Sequence, residues 1–481
     1  MTNIDWKIVF VLFLIVFGLR FFATAELPSF ASDESYFHYK HVSYLVAEGE
    51  LLHYDPLSFG GREVYYPPFF HIFLSLFGDD IFVLRFIVEV IFALSAVFFY
   101  LLSRSLVKRH SVALLGTFFY VTLPVVLDHT LNELSVYSLV LLLFFIVLYS
   151  YFHAVHGFYL RVFVVGALLL GLTHASVFLL LLGFLFALFL SAGKDLYVEH
   201  VKRELVFVFT LVTFLFLFLV FKQPFLTYGF SIIWQNIPDF YFQEAFGTLE
   251  PLALLLQLGF FPLLFGTYGL FVGVFRQHRE IVYVFSGLLL SIFLLLGFHL
   301  LALDIGLLFF GVFMSLLSVV GIDRFVDSLS RLRVSHRVVL GALFILVFYF
   351  TLLPSYDRFT DIPVIDSDVI TGAQWLRENS NPHDVVLTSL HESNIIQVIA
   401  QRKTLIDNYF LLAPDVHERY TDVGILYRGL TQVKVSQLLD AYSIDYILVS
   451  EKTKDFYGVT LDASGYDCYN EVEDVVYEVV C

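Results

Sequence analysis

A polytopic α-helical membrane protein carrying a small C-terminal α/β domain is the fold class that this sequence predicts, on three observations. Hydrophobic residues make up 59% of the 481 and charged residues only 15%, where a soluble globular chain carries about 25% charged. The apolar residues, including 57 Phe, gather in runs too long for a soluble core helix, and mean hydropathy is +0.81. Charged and polar residues return only after Pro354. A soluble or a disordered chain is thereby excluded.

The first apolar run, 6–25, is too long for the hydrophobic part of a cleavable signal and has no clear cleavage site. It reads as the first membrane helix. Further candidate spans follow at 82–102, 111–127, 134–152, 159–173, 175–191, 204–221, 251–274, 280–298, 300–320 and 338–354, about eleven in all. Several fall short of the ~20 residues of an upright crossing, which predicts tilt or burial within the bundle. The fifth and sixth also read as one broken unit.

With the N-terminus in the cytoplasm and the spans alternating, fourteen Lys and Arg fall on the cytoplasmic side. Only Lys40, Arg62, Arg85 and Lys222 fall on the other, the tail aside. This bias fixes the expected orientation. An odd number of spans then puts residues 355–481 outside, beside the outer loops 26–81 and 222–250. The domain division expected is 1–354 for the transmembrane part and 355–481 for the extracytoplasmic α/β part. The net charge of −16 is concentrated in the first loop and the last third, so nucleic acid, which needs a basic face, is excluded as a partner.

Within the tail, Thr371–Asn379 reads as a helix, Val385–Thr388 as a strand, Ser393–Ala400 as helical, Thr404–Ile406 as a strand, Val433–Tyr442 as an amphipathic helix and Tyr446–Ser450 as a buried strand. Such alternation predicts an α/β unit. Tyr466–Cys481 reads as a hairpin. Its Cys468 and Cys481, the only cysteines, either bridge across it or stay free thiols.

The first outer loop is the richest in chemistry. Asp33 and Glu34 precede an amphipathic helix, about Ser35–Ala47, whose Tyr36, Tyr39, Val42 and Val46 form a stripe expected to face the membrane interface. Carboxylates at such a boundary are pushed toward higher pKa and serve as a general base or metal ligands. The bland alternative is a helix cap with an acidic first turn. A second acidic element is Asp128–Glu133, with His129 between; a third is Asp239, Glu244 and Glu250 in the loop 222–250. A divalent metal, Mg or Mn, is one reading of this acidic set. Arg20 and Arg85 lie at membrane level, where a charge is either paired or functional. Arg85 and Glu89 have the spacing of a satisfied i,i+4 pair. The alternative is that Arg20, Arg62 or Arg85 grips a phosphate. His71, His174 and His299 lack metal-binding spacing and read first as polar packing.

Ser32–His38 (SDESYFH), Tyr54–Pro56, Gly60–Arg62 and Tyr66–His71 (YPPFFH), followed by the acidic turn Asp128–Glu133, resemble the GT-C superfamily of integral-membrane glycosyltransferases. The tail segments WLRENSNPHDVVLTSL, AQRKTLIDN and LLDAYSIDYILVS are similar in order to the outer domain of archaeal oligosaccharyltransferase catalytic subunits. That family's Trp-Trp-Asp-Tyr-Gly signature is replaced here by Leu390–Asn394 (LHESN). The resemblance implies a GT-C-like bundle in the cell membrane that takes a sugar from a polyprenyl-phosphate carrier to a glycan, lipid or protein acceptor at the extracytoplasmic face. Asp33, Glu34 and Glu133 are then the expected catalytic set: Asp33, with Glu34, deprotonates the acceptor or holds it in line, and Glu133, with Asp128, binds a metal or orients the acceptor. Arg20, Arg62, Arg85, Tyr66 and His71 would bind substrate, and Asp33, Asp128, Glu133 and Glu244 would hold a metal. The alternatives are an oligosaccharyltransferase-like enzyme of protein N-glycosylation and a transporter or flippase of lipid-linked sugars. No internal repeat supports the latter.

Overall fold

The computed structural model describes residues 5–480 apart from 195–197, 230–241, 243–245, 248–249, 278–279, 331–335, 430–431 and 460–468. Asp239, Glu244 and Cys468, and Cys481 at the end, lie outside the described residues. Each expected span overlaps a helix or a bent helix pair. Helix α1 is Trp6–Thr24. Within the loop 26–81, α2 is Asp33–Glu48, β1 Tyr54–Asp55, β2 Arg62–Glu63 and α3 Phe69–Ser75. The bundle continues with α4 (Ile81–Leu106), α5 (His110–Thr122), α6 (Pro124–Thr130), α7 (Val136–Phe152), α8 (Gly157–Thr173), α9 (Val177–Ala192) and α10 (His200–Val220). It closes with α11 (Lys222–Tyr228), α12 (Pro251–Leu258), α13 (Phe260–Val272), α14 (Glu280–Gly297), α15 (Leu303–Ser330) and α16 (His336–Thr360).

By length and apolarity, five of the described helices suffice to cross a membrane, or up to seven if each bent pair is one span. The bends are 54° between α5 and α6 and 82° between α12 and α13. Each has a chemical cause. Pro124 opens α6 and lacks the N–H that would continue α5. Gly259, at φ +71, turns the chain between α12 and α13. Small residues bring helices close: a Cβ on Gly269 or Gly321 would run into backbone atoms of the facing helix, which lets α13 and α15 pack backbone to backbone. Phe and Leu exposed along α1 and α10 present the apolar surface that hydrocarbon covers in an integral membrane protein.

After α16 come α17 (Ser367–Asn379), β3 (Val385–Leu387), a helical turn at Ser393–Ile395, β4 (Lys403–Thr404), α18 (Val416–Arg428) and α19 (Gln432–Tyr442). The chain ends in β5 (Ile444–Leu448), α20 (Glu451–Tyr457), β6 (Tyr469–Glu473) and β7 (Val476–Val479). The sheet order is β4-β3-β5-β7-β6, parallel across β4-β3-β5 and antiparallel at β7 and β6. The terminal hairpin turns at residues 474–475. Helix α18 was not anticipated.

The first loop and the tail are stitched together. Phe59 belongs to the same buried cluster as Leu387, Ile406 and Tyr427 of the tail. The Arg62 guanidinium donates to Ser58 Oγ (2.6 Å), Leu411 O (2.9 Å) and Asp407 Oδ1 (3.3 Å). Lys40 Nζ reaches Asp55 Oδ2 (2.5 Å) and Gln397. Between β1 and β2 the chain turns through Gly60 and Gly61 at φ +74 and +121, and a Cβ on Gly61 would collide with the Tyr54 hydroxyl. The stripe expected to face the membrane interface is split: Tyr36 and Val42 are buried at 4% and 0% exposure, because α2 packs against α3 and the turn Ser393–Ile395, while Val46 stays exposed.

Candidate functional site

Two adjacent carboxylates and a third from 99 residues further along the chain come together where α2 begins. Asp33 and Glu34 form its first turn. Glu133 reaches them from the turn after α6, its Oε2 accepting from the hydroxyls of Ser32 (2.6 Å) and Ser35. The Ser35 hydroxyl oxygen also accepts Leu134 N–H (2.9 Å). The turn is held by Asn132, which takes a left-handed φ of +58. Its amide donates to the carbonyls of Ser29 (3.1 Å) and Pro363 (3.1 Å).

The two adjacent acids have different surroundings. Asp33 is 4% exposed; its Oδ2 accepts from Asn394 Nδ2 (2.7 Å) and its Oδ1 from Ile395 N–H (3.0 Å). It fastens α2 to the tail. Glu34 is the open one, its side chain 47% exposed. His38 Nε2, one turn on, lies 3.8 Å from its Oε1. His38 Nδ1 in turn lies 2.9 Å from His71 Nε2.

Burial pushes the carboxyls of Asp33 and Glu133 each up to about 7, against the opposing pull of their hydrogen bonds. For Glu34, the surrounding protein also acts to raise the value. The His38 contact, with help from His129 and His174, outweighs it, and the carboxyl stays below its ordinary value. Burial holds the His174 imidazole down at about 4, so it is neutral at physiological pH. A site results with one accessible ionised carboxylate beside two carboxyls poised near neutrality.

A pH prediction follows. The folded values of Asp33 and Glu133 lie above their ordinary 3.8 and 4.5. Between about pH 4 and 7 the folded chain thus binds more protons than the unfolded one, and this contribution makes stability fall as pH rises through 7. Thermal melts from pH 5 to 8 are expected to show a shallower fall for Asp33→Asn than for the parent. An identical slope in the two proteins would count against a raised Asp33.

The expected substrate-binding residues sit elsewhere or face inward. Arg20 is fully buried: Nε donates to Glu89 Oε2 (2.5 Å) and Nη2 to Thr130 O (2.6 Å), with the guanidinium 3.8 Å over the Phe92 ring. Arg85 donates to the carbonyls of Leu27 (3.0 Å) and Ser29 (3.1 Å) rather than forming the expected pair with Glu89. Arg62 holds the tail, as described. The phosphate grip expected of these three is corrected: packing has given each guanidinium internal acceptors. Tyr66 and His71 are buried at 9% and 2% exposure, and His71 acts as a partner of His38.

The expected metal set does not assemble. Asp128 turns away and pairs with Arg358 (3.0 Å) at 38% side-chain exposure, Glu244 lies outside the described residues, and both Asp33 oxygens accept protein N–H groups. Among the described residues no three His, Cys, Asp or Glu are arranged to hold a metal ion. Sequence reasoning missed Ser32, Ser35, His38 and Asn394 as partners. Of these, only the four-residue spacing Glu34–His38, one helical turn, was a usable signal.

No family model matches the sequence, and no curated protein matches it either. Solved structures do. The Archaeoglobus fulgidus oligosaccharyltransferase, crystallised tethered to an acceptor peptide, is 13% identical at TM-score 0.68, the match covering 92% of this chain and 68% of that one. ArnT from Cupriavidus metallidurans, bound to undecaprenyl phosphate, is 12% identical at TM-score 0.57 over 99% of both chains. The mycobacterial arabinofuranosyltransferase AftD is 15% identical at TM-score 0.52, over 93% of this chain and 37% of that one. Another crystal of the oligosaccharyltransferase holds Zn and sulfate. At such identities the likeness is one of fold. It runs over nearly the whole length of this chain, which folds like the oligosaccharyltransferase and ArnT.

Proposed function

We propose that this chain is a membrane glycosyltransferase that moves a hexosyl or pentosyl unit from a polyprenyl-phosphate-linked donor to an acceptor at the extracytoplasmic face. The observation that carries the reading is the convergence of Asp33, Glu34 and Glu133 with only Glu34 open. In the reaction the acceptor hydroxyl oxygen attacks the anomeric carbon, the bond from that carbon to the phosphate oxygen breaks, and polyprenyl phosphate leaves. Glu34 takes the hydroxyl proton; His38 orients its carboxylate. Asp33 positions α2 against the tail, and Glu133, near neutral, offers a hydrogen-bonding partner for acceptor or sugar. Among the described residues no three His, Cys, Asp or Glu are arranged to hold a metal ion, and the transfer is written with the protein's own groups.

The fold neighbours act on or bind lipid carriers, ArnT with undecaprenyl phosphate and the archaeal enzyme with dolichol phosphate, which supports a lipid-linked donor here. The archaeal enzyme's acceptor peptide supports a second reading, protein glycosylation. Against it, the acceptor-reading signature is replaced by Leu390–Asn394, where Glu392 is buried and bound to Ser389, Ser450 and Thr453. Purified protein in liposomes, given polyprenyl-phosphate sugars and separate glycan, lipid and sequon-peptide acceptors, should release polyprenyl phosphate with one acceptor class. Release with none of them would refute the proposal.

A further inference from the structure

Three buried imidazoles cluster between α2 and α3. His38 and His41 stand on α2 and His71 on α3, at 3%, 0% and 2% exposure. The His71 ring centroid lies 5.1 Å from that of His38 and 5.2 Å from that of His41. Tyr66 meets His71 in a T-shaped contact at 4.6 Å, and Phe70 meets His38 likewise at 5.2 Å. Rings enclosed in this way keep one orientation. Among the described residues, no hydrogen-bond partner meets His71 Nδ1 or either nitrogen of His41. The polar contact that the His71 ring does make is at Nε2, 2.9 Å from His38 Nδ1.

The contacts assign the hydrogens. A neutral imidazole has one N–H and one lone pair, and the bond made at one nitrogen decides what the other carries. His38 Nε2 lies 3.8 Å from Glu34 Oε1, and an ionised carboxylate attracts an N–H and repels a lone pair. With its hydrogen on Nε2, His38 accepts at Nδ1, so His71 Nε2–H donates to it. His71 Nδ1 then keeps a lone pair. The reverse arrangement aims a lone pair at Glu34 and buries the N–H of His71 Nδ1 without an acceptor, the rarer kind of omission in folded chains. Burial holds the pKa of the His71 imidazole well below its ordinary value, so this ring has a single hydrogen to give.

We infer that His71 is a positioning residue for the transfer, fixing the His38 tautomer so that Nε2–H faces Glu34, an inference that rests on the glycosyl-transfer reading above. His38 then offers Glu34 a fixed donor. It has no lone pair on that side, which leaves the acceptor's proton to Glu34 alone.

The test pairs a tautomer readout with a kinetic one on the full chain in liposomes. Solid-state 15N spectra of histidine-labelled protein at neutral pH, with His38 assigned by its loss in His38→Gln, should show the parent's hydrogen on Nε2 and none on Nδ1. His71→Leu should give a mixture of both tautomers and lower kcat by about tenfold or more with KM within about threefold, the pattern of a reacting group held less well. His71→Gln, whose side-chain amide keeps an N–H donor, should restore most of both. His41→Leu, a change at an equally buried ring without a polar contact, should match the parent. Hydrogen on Nδ1 or on both nitrogens of His38 in the parent overturns the inference. So does an unchanged kcat in His71→Leu, or an equal loss in His71→Gln or His41→Leu. The assigned tautomer in a parent that transfers no sugar would instead overturn the glycosyl-transfer reading.

Discussion

Glu34→Gln should lower the rate of sugar transfer by about 10²–10⁴-fold, the usual contribution of a positioned general base. The substitution keeps the size of the side chain and removes its ability to accept the acceptor's proton. Because that side chain is 47% exposed and its nearest ionic partner, His38, is 3.8 Å away, little folding energy depends on it. The melting temperature should match the parent's, and binding of undecaprenyl phosphate should stay within a few-fold. Turnover measured with saturating donor reports the chemical role directly. A variant within threefold of the parent would remove Glu34 from proton transfer and return attention to Glu133. Asp33→Asn is a less clean probe, since it disturbs the bonds to Asn394 and Ile395 that fasten the tail.

The largest effect on stability is expected at Arg20. Arg20→Met leaves Glu89, 1% exposed, without its partner and strips a donor from Thr130 O. An uncompensated charge at such a site costs about 3–5 kcal/mol. Thr130 ends α6, three residues before Glu133, so the damage should reach the site as well as the bundle. Detergent-solubilised Arg20→Met should melt well below the parent and lose its monodisperse peak after mild heating. Arg20→Met combined with Glu89→Leu removes both charges and should recover much of the loss, since an apolar pair of similar volume is often as stable as a buried ion pair. If the double variant melts as low as the single one, the ion pair is not the origin of the effect.

Arg20 also shows where reading by pattern stops. A charge inside an apolar run marks a position as paired or functional, and both readings stood open in the sequence. The choice depended on Glu89, 69 residues away, and on the Thr130 carbonyl, 110 residues away. No local spacing encodes either. Arg85 carries the same lesson. The i,i+4 relation to Glu89 suggested a pair along one helix, but Glu89 already had a partner, and Arg85 instead took the carbonyls of Leu27 and Ser29. The amphipathic stripe of α2 divides: Tyr36 and Val42 pack against protein, while Val46 is exposed. Periodicity tells which residues avoid water, and both a bilayer and a protein surface satisfy that demand.

Local pattern was enough to specify the helical, membrane-embedded bundle, the acidic start of the first long loop and the alternation of helix and strand in the tail. These follow from hydropathy, composition and short-range periodicity, which each segment carries alone. Long-range packing set the rest: Glu34 is open while Asp33 is bound, Glu133 joins them while Asp128 pairs with Arg358, and Arg20, Arg62 and Arg85 have internal acceptors. Burial and hydrogen bonding of a charged group depend on what the rest of the chain brings against it. At this site those partners arrive from as far as 362 residues away.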